Sequence, residues 1–104
     1  MKKVVISQPL ENKTLQEIVW KEKNTKKYLE EKGYEVENQF FIQEETLMEQ
    51  IGIKNKTLYN IGKLFETMAT CDAVYFTTGW SLDKGCRIIR LAAKLYDLEM
   101  LEEK

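Results

Sequence analysis

Residues 71–93 read CDAVYFTTGWSLDKGCRIIRLAA, and this stretch decides the fold. A continuous apolar run over residues 73–77 predicts a strand that is buried on both faces, as in a parallel sheet. A turn with Gly, Ser and Asp follows, and a helix begins near Asp83 or Gly85 and runs to about Asp97. A strand, a tight turn and a helix start form the arrangement with which open α/β sheets hold small ligands.

A short strand and a long helix open the chain. Residues 3–7 are a continuous β-branched run, which predicts a second strand covered on both faces, and Pro9 ends it. Thr14 and Glu17 match a capping box, in which a hydroxyl and a carboxylate satisfy the first amides of a helix. That helix is predicted to run to Lys32 and to be followed by Gly33, a residue that readily takes the left-handed conformation found after helices.

The middle of the chain has the weakest pattern. Residues 34–36 predict a strand, whereas residues 38–56 show only one or two possible helical turns, over residues 44–50. Asn55 or Thr57 then caps a helix whose apolar residues recur at i, i+3 and i+4. These elements lead into the stretch at residues 71–93.

Residues 98–101 predict a last strand. Strands that alternate with helical crossovers favour a parallel sheet with right-handed connections. We therefore expect one α/β domain over residues 1–104, with helices on both faces of a sheet of about four strands.

Composition excludes several classes of function. The 104 residues carry a net charge of -1, so the chain lacks the basic field that binds a nucleic acid polymer. Histidine is absent, which removes Ser-His and Cys-His nucleophile pairs, and the two cysteines cannot complete a usual zinc site. No secretion signal or membrane span is recognisable, so we expect a cytoplasmic protein with no membrane partner and reduced cysteines.

Four segments carry a resemblance to a known family: VVISQPL at the start, EKGYEV, the CDAVYF strand and the GW-x-x-x-x-GCRI turn. In this order they resemble the small DUF4406 proteins of the nucleoside 2-deoxyribosyltransferase-like superfamily. The resemblance covers nearly the whole chain and is weakest over residues 38–54. It implies a Rossmann-like sheet with strand order 2-1-3-4.

The resemblance also implies which residue is missing. Active transferases of the superfamily carry D-x-G-x-x-x-E across this turn, where the Asp orients the sugar and the Glu attacks the anomeric carbon. Asp83 and Gly85 match that pattern, but Ile89 occupies the position of the Glu. We therefore assign no catalytic residue, and we expect no metal and no cofactor.

Candidate ligand contacts follow the first and third strands. With order 2-1-3-4 the connections reverse between these strands, and ligands of open α/β sheets bind beyond the carboxyl ends at such a point. Ser7, Gln8 and Pro9 lie at the carboxyl end of the first strand, and residues 77–80, which include Gly79 and Trp80, lie at the carboxyl end of the third, so that these segments would line one crevice. Alternatively, Ser7 and Gln8 satisfy the turn backbone, and Trp80 covers the sheet edge instead of stacking on a nucleobase.

Further candidates surround the last helix. Asp83 and Gly85 begin it, and its first amides would favour a phosphate. By the resemblance Asp83 faces ribose hydroxyls and Asp72 faces the base, whereas the alternative roles are helix capping and solvation. Arg87 could pair with a phosphate or form a weak surface ion pair. Cys86 is interpreted as a small buried residue, not a nucleophile.

The last helix carries apolar residues on more than one face, which is typical of a helix shared with another subunit. Burial in such an interface would also explain Ile89, and Trp20 is a second candidate interface residue. Since members of the superfamily are commonly oligomers, the resemblance implies a homo-oligomer here as well.

Three hypotheses about function remain open. The first is non-catalytic binding of a nucleotide or nucleoside-derived ligand, by a sensor or a sequestering protein. The second is an N-glycosidase or deoxyribosyltransferase in which a displaced carboxylate, such as Glu66 or Asp83, acts on nucleosides or nucleotides. The third is a structural partner in an oligomer, with a vestigial pocket.

Overall fold

A computed structural model describes residues 1–37 and 49–104 of the chain. Its elements, in chain order, are β1 (Lys3–Ser7), α1 (Leu15–Glu31), β2 (Glu35–Val36), α2 (Lys56–Met68), β3 (Ala73–Phe76), a 3₁₀ turn (Trp80–Leu82), α3 (Lys84–Leu95) and β4 (Glu99–Glu102). Most of the helical segment predicted over residues 44–50 lies outside the described residues. Of this segment, residues 49 and 50 are described, and both are helical.

The four strands form one parallel sheet in the order β2-β1-β3-β4. In the centre of the sheet Val4 is opposite Ala73 and Ser7 is opposite Phe76, so β1 and β3 end at the same level. The α/β class, the parallel strands and the order 2-1-3-4 are therefore confirmed. The turns that follow β1 and β3 lie side by side at the carboxyl edge of the sheet.

Both faces of the sheet are covered, as the continuous apolar strands predict. On one face, Val5, Val74 and Phe76 share a buried cluster with residues of α2 and α3. On the other face, Val4 and Tyr75 pack with Leu29 of α1. Each such side chain contributes roughly 1.5–3 kcal/mol when it leaves water, so this three-layer packing holds the strand ends in place.

Local signals account for the helix boundaries. Thr14 precedes α1, and its hydroxyl oxygen accepts a hydrogen bond from the backbone N–H of Glu17 at 3.1 Å. Asn55 caps α2 in the same way, accepting from the N–H of Leu58 at 2.9 Å. After α1, Gly33 has a φ of 93°, the left-handed conformation predicted for it.

Several predicted boundaries need small corrections, including the ends of α1 and β3, which are Glu31 and Phe76 instead of residues 32 and 77. Strand β2 begins at Glu35 instead of residue 34, and β4 covers Glu99–Glu102 instead of residues 98–101. Helix α3 ends at Leu95, two residues before the predicted end. The reason is Asp97, whose φ of 57° is left-handed and cannot continue an α-helix.

Candidate functional site

The turns after β1 and β3 contact each other at the carboxyl edge of the sheet. The N–H of Thr77 donates to the carbonyl of Ser7 at 3.1 Å, which extends the pairing of β1 with β3 by one residue. Gly79 has a φ of 92°, and a Cβ added to it would lie 3.6 Å from Cγ of Pro9. A glycine is favoured here because L side chains rarely adopt this φ.

A cleft of about 800 Å³ opens between these turns and the start of α1. From the residues predicted to line the site it takes Gln8, Pro9, Thr77, Thr78, Gly79 and Asp83. The rest of its lining comes from Leu82 and, at the start of α1 and before it, from Glu11, Asn12, Lys13, Gln16, Glu17, Ile18, Trp20 and Lys21. Trp20, considered above as an interface residue, is exposed and lies on the wall of this cleft.

A second cavity, of about 510 Å³, lies between α1, α2 and α3, and we call it the groove. Its walls are mainly apolar and include Ile6, Leu10, Ile18, Val19, Leu58, Ile61, Leu64, Ile88 and Ile89. Ser7, Gln8, Asp83 and Gly85 from the predicted site also line it. Because Gln8, Glu11, Ile18 and Asp83 line both cavities, the cleft and the groove adjoin along these residues.

Asp83 lies where the two cavities meet. Its carboxylate oxygen Oδ2 accepts a hydrogen bond from the N–H of Cys86 at 2.9 Å, so Asp83 is the N-cap of α3. The same oxygen lies 3.3 Å from the position of a Cβ added to Gly85. Asp83 therefore caps α3 and also lines the cavities, as both expectations required. Gly85 has no side chain and leaves room for the Asp83 carboxylate.

Ser7 and Cys86 contact each other in the wall of the groove. Both side chains are buried, and the Ser7 hydroxyl donates to Sγ of Cys86 at 3.4 Å. Burial raises the pKa of the Cys86 thiol to about 12, although the hydrogen bond from Ser7 acts in the opposite direction. Cys86 is thus a protonated, buried thiol at neutral pH, which agrees with its interpretation as a structural residue.

Ile89 is 1% exposed and belongs to the buried cluster on the α2/α3 face of the sheet. The expectation that an interface with another subunit buries Ile89 is therefore corrected: the core of its own chain buries it. The transferases that this chain resembles carry the attacking Glu at this position. In this chain the position holds an apolar side chain at the edge of the groove.

Two predicted contacts, Asp72 and Arg87, and the candidate carboxylate Glu66 lie away from the cavities. Asp72 precedes β3, so it lies at the amino edge of the sheet, where its carboxylate accepts from the N–H of Lys3 at 2.9 Å. Arg87 is exposed on α3 and lines neither cavity. Glu66, considered as a displaced carboxylate, is also exposed on α2 and pairs with Lys63 at 3.5 Å.

Trp80 packs against the protein instead of either cavity. Its ring centroid is 5.7 Å from that of Phe76, and the Arg90 guanidinium lies over the Trp80 ring at 4.1 Å. Arg90 also forms an ion pair with Glu102 at 2.6 Å. This geometry agrees with the alternative in which Trp80 covers the edge of the sheet. It does not agree with the interpretation in which Trp80 stacks on a ligand.

Glu103 fixes the rim of the cleft, although sequence reasoning gave it no role. Its carboxylate accepts from the N–H and the hydroxyl of Thr78, at 2.8 and 2.6 Å, and from Lys21 at 2.6 Å. Burial favours a higher pKa for Glu103, but these hydrogen bonds outweigh it and lower the pKa from 4.5 to about 2. The network ties the end of β4 to α1 and to the turn after β3.

Two buried polar atoms in the cavity walls have no hydrogen-bond partner in the described part of the chain. One is Oγ1 of Thr77, whose residue is 1% exposed and lines the cleft. The other is Oδ1 of Asn60, a residue of α2 that lines the groove. Buried polar atoms are normally hydrogen-bonded, so these two atoms are exceptions in the walls of the cavities.

Residues 1–37 and 49–104 contain neither a metal-binding cluster nor a membrane-spanning helix. No group of three or more His, Cys, Asp and Glu side chains there is arranged to hold a metal ion. In the same residues, no helix combines the length and the apolar character that a membrane span requires. Comparisons with protein-family models, with curated proteins and with solved structures found no match.

Proposed function

We propose that the chain is a binding protein of the nucleoside 2-deoxyribosyltransferase-like type, which holds a nucleotide or nucleoside-derived ligand without cleaving it. It would act as a sensor or as a protein that sequesters the ligand. The observation that carries this proposal is the position of Asp83 at the junction of two adjoining cavities, the cleft and the groove. A nucleoside has two parts, a sugar and a base, which two adjoining cavities would hold side by side.

The position of the cavities supports the proposal. They lie at the carboxyl ends of β1 and β3, which is where the connections of the sheet reverse and where open α/β sheets bind ligands. Ser7, Gln8, Pro9, Gly79, Asp83 and Gly85 are the ligand contacts that we retain. Ile89 supports binding over cleavage, since an aliphatic side chain cannot attack an anomeric carbon.

Calorimetric titration against a panel of nucleosides and mono-, di- and cyclic nucleotides tests the proposal. We expect saturable binding of at least one member, which Asp83→Ala weakens. Asp72→Ala is the matched control, because it removes the same carboxylate at the opposite edge of the sheet. If no member of the panel binds, or if both variants weaken binding equally, the proposed site is wrong.

The carboxylates of the cavity walls favour one alternative, an N-glycosidase or deoxyribosyltransferase. Glu11, Glu17 and Asp83 line the cavities, and a carboxylate is the group that would attack or protonate a glycosidic bond. Incubation with the same panel, followed by chromatography for free base, separates the two functions. Release of base that Asp83→Asn abolishes would replace the binding proposal by the enzymatic one.

We also propose that two copies of the chain associate through α3. Ile88, Leu91 and Leu95 are 46, 58 and 68% exposed and lie along one side of this helix, away from the core. A second copy could cover this row in a self-complementary contact. Light scattering after gel filtration should give a dimer for the wild type and for Lys94→Gln, and a monomer for Leu91→Asp. A monomeric wild type would contradict this part of the proposal.

A further inference from the structure

The turn after β3 forms one wall of the cleft but has few contacts that hold it in place. Gly79, Leu82 and Asp83 of this turn line the cleft. The 3₁₀ turn contains no buried residue, and within residues 79–82 only Trp80 is not exposed. Segments with few buried contacts open locally at a low cost in free energy. The position of this wall therefore depends on what holds the Trp80 side chain.

Arg90 of α3 is the charged residue that contacts the Trp80 ring. Its guanidinium lies 4.1 Å from the centroid of that ring and 5.2 Å from the centroid of the Phe76 ring. The two rings are 5.7 Å apart and tilted by 54°. A cation over an aromatic face is attracted by the quadrupole of the ring, and most strongly by that of tryptophan. The cluster of Phe76, Trp80 and Arg90 therefore joins the turn to β3 and to α3.

An arginine at this position has a cost that an apolar residue would not have. Within residues 1–37 and 49–104, Nη1 of Arg90 is a buried donor without a hydrogen-bond partner, whereas Nη2 pairs with Glu102 at 2.6 Å. An apolar side chain would cover the two rings without leaving a donor unsatisfied. What the guanidinium adds is a rigid plane over Trp80 and an ion pair with the end of β4.

Two adjacent acids at the end of β4 hold the turn from both faces of the sheet. Glu102 pairs with Arg90 of α3, and Glu103 accepts hydrogen bonds from Thr78 and from Lys21 of α1. Successive side chains of a strand point to opposite faces, so the two acids reach opposite sides of the same turn. Thr78 is held directly by Glu103, and Trp80 is held through Arg90.

We propose that Arg90 is a positioning residue of the site. Through Trp80 it keeps the turn after β3 in place as a wall of the cleft, although Arg90 itself lines neither cavity. Its effect on the turn does not depend on what the cleft binds, whereas its effect on affinity rests on the proposed function. Arg87, three residues earlier on the same helix, is exposed and provides the matched control.

Hydrogen exchange, followed by nuclear magnetic resonance, tests the role of Arg90 without a ligand. The N–H groups of Leu82 and Asp83 donate to the carbonyls of Gly79 and Trp80 at 3.1 and 3.2 Å, so they exchange when the turn opens. Arg90→Met keeps a long, unbranched side chain and removes the charge. In this variant both turn amides should exchange about tenfold faster, the combined effect of a cation–π contact and an ion pair.

Three comparisons make this measurement decisive. Arg87→Met should leave the exchange of both turn amides unchanged. Glu102→Gln removes only the ion pair and should accelerate them about two- to fivefold. If Arg90 contributes only to the stability of the whole domain, the amide of Val74 at the centre of the sheet will exchange faster in Arg90→Met while the turn amides do not. That result, or unchanged exchange of the turn amides in both Arg90→Met and Glu102→Gln, would overturn the proposal.

Affinity tests the connection with the proposed function. For a nucleoside or nucleotide that the wild type binds, Arg90→Met should weaken binding about threefold or more, because fewer molecules have the turn in place. Arg87→Met should bind as the wild type does. Faster exchange of the turn amides with unchanged affinity would overturn the role of Arg90 in the site. If no member of the panel binds and the turn amides respond as expected, the proposed function fails while the role of Arg90 in holding the turn stands.

Discussion

Glu103→Gln is expected to destabilise the protein at neutral pH through the network at the rim of the cleft. Hydrogen bonds from Lys21 and Thr78 lower the pKa of Glu103 from 4.5 to about 2 against the opposing effect of burial, and this difference corresponds to about 3 kcal/mol. The Glu103 side chain is 25% exposed, so solvent screening reduces the expected loss to about 1–2 kcal/mol. Gln keeps one oxygen that accepts from Thr78 but cannot pair with a lysine.

The sign of the pH dependence follows from the direction of this change. Because the pKa of Glu103 is lower in the folded than in the unfolded chain, its contribution is fully present above about pH 4.5. The contribution is lost as the pH falls from there through about pH 2. Urea unfolding at a series of pH values should therefore show wild type and Glu103→Gln converging in free energy of unfolding as the solution becomes acidic.

Glu99→Gln is the control for this measurement. Glu99 is on the adjoining strand β4 and pairs with Lys2 through side chains that are 39 and 61% exposed. Such a pair contributes little, so the expected loss is below about 1 kcal/mol. Equal losses in the two variants, or a difference between wild type and Glu103→Gln that does not shrink in acid, would refute the role given to the network.

Three further predictions concern other parts of the molecule. Thiol-reactive reagents should leave Cys71 and Cys86 unmodified in the folded protein and label both after denaturation, because both are buried and burial raises the pKa of each thiol; rapid labelling of native Cys86 would contradict this. Gly79→Ala should cost about 1–2 kcal/mol of stability, measured by urea unfolding, because φ is 92° at this position; an unchanged midpoint would mean that the turn adopts another conformation. Thr14→Ala should lower the stability of the fold by about 1 kcal/mol, since it removes the cap of α1. Thermal unfolding monitored by circular dichroism measures this loss. Thr14→Ser keeps a hydroxyl at this position and should retain most of the stability.

Much of the fold was predictable because its signals are local. Thr14 and Gly33 mark helix ends as predicted, through a bond or a backbone angle within a few residues, and Asn55 is the cap of α2 where the sequence allowed Asn55 or Thr57. The apolar runs of β1 and β3 indicate burial on both faces, and parallel order follows from the alternation with helices. The end of α3 was missed because nothing in the pattern shows that Asp97 takes a left-handed conformation.

The site was less predictable because its contacts join distant parts of the chain. Glu103 reaches the rim of the cleft from the end of β4, and no spacing in the sequence relates it to Lys21 or Thr78. For Asp72 the error is the reverse, since it was predicted to lie at the site and lies away from it. It is close in sequence to the candidate turn, but a residue that precedes a parallel strand lies at the edge opposite to the residues that follow it, and Asp72 contacts Lys3 there.

Asp83 and Ile89 together give the argument for binding over cleavage. A carboxylate at residue 89 would lie in a position that is 1% exposed, where an unpaired charge is costly and an aliphatic side chain gains roughly 1.5–3 kcal/mol from burial. Asp83, the remaining acid of the resembled motif, accepts the N–H of Cys86 through Oδ2. If Asp83 attacked a sugar, the attacking carboxylate would be the one that also holds the first turn of α3, so a nucleophilic Asp83 would weaken the helix that forms the site.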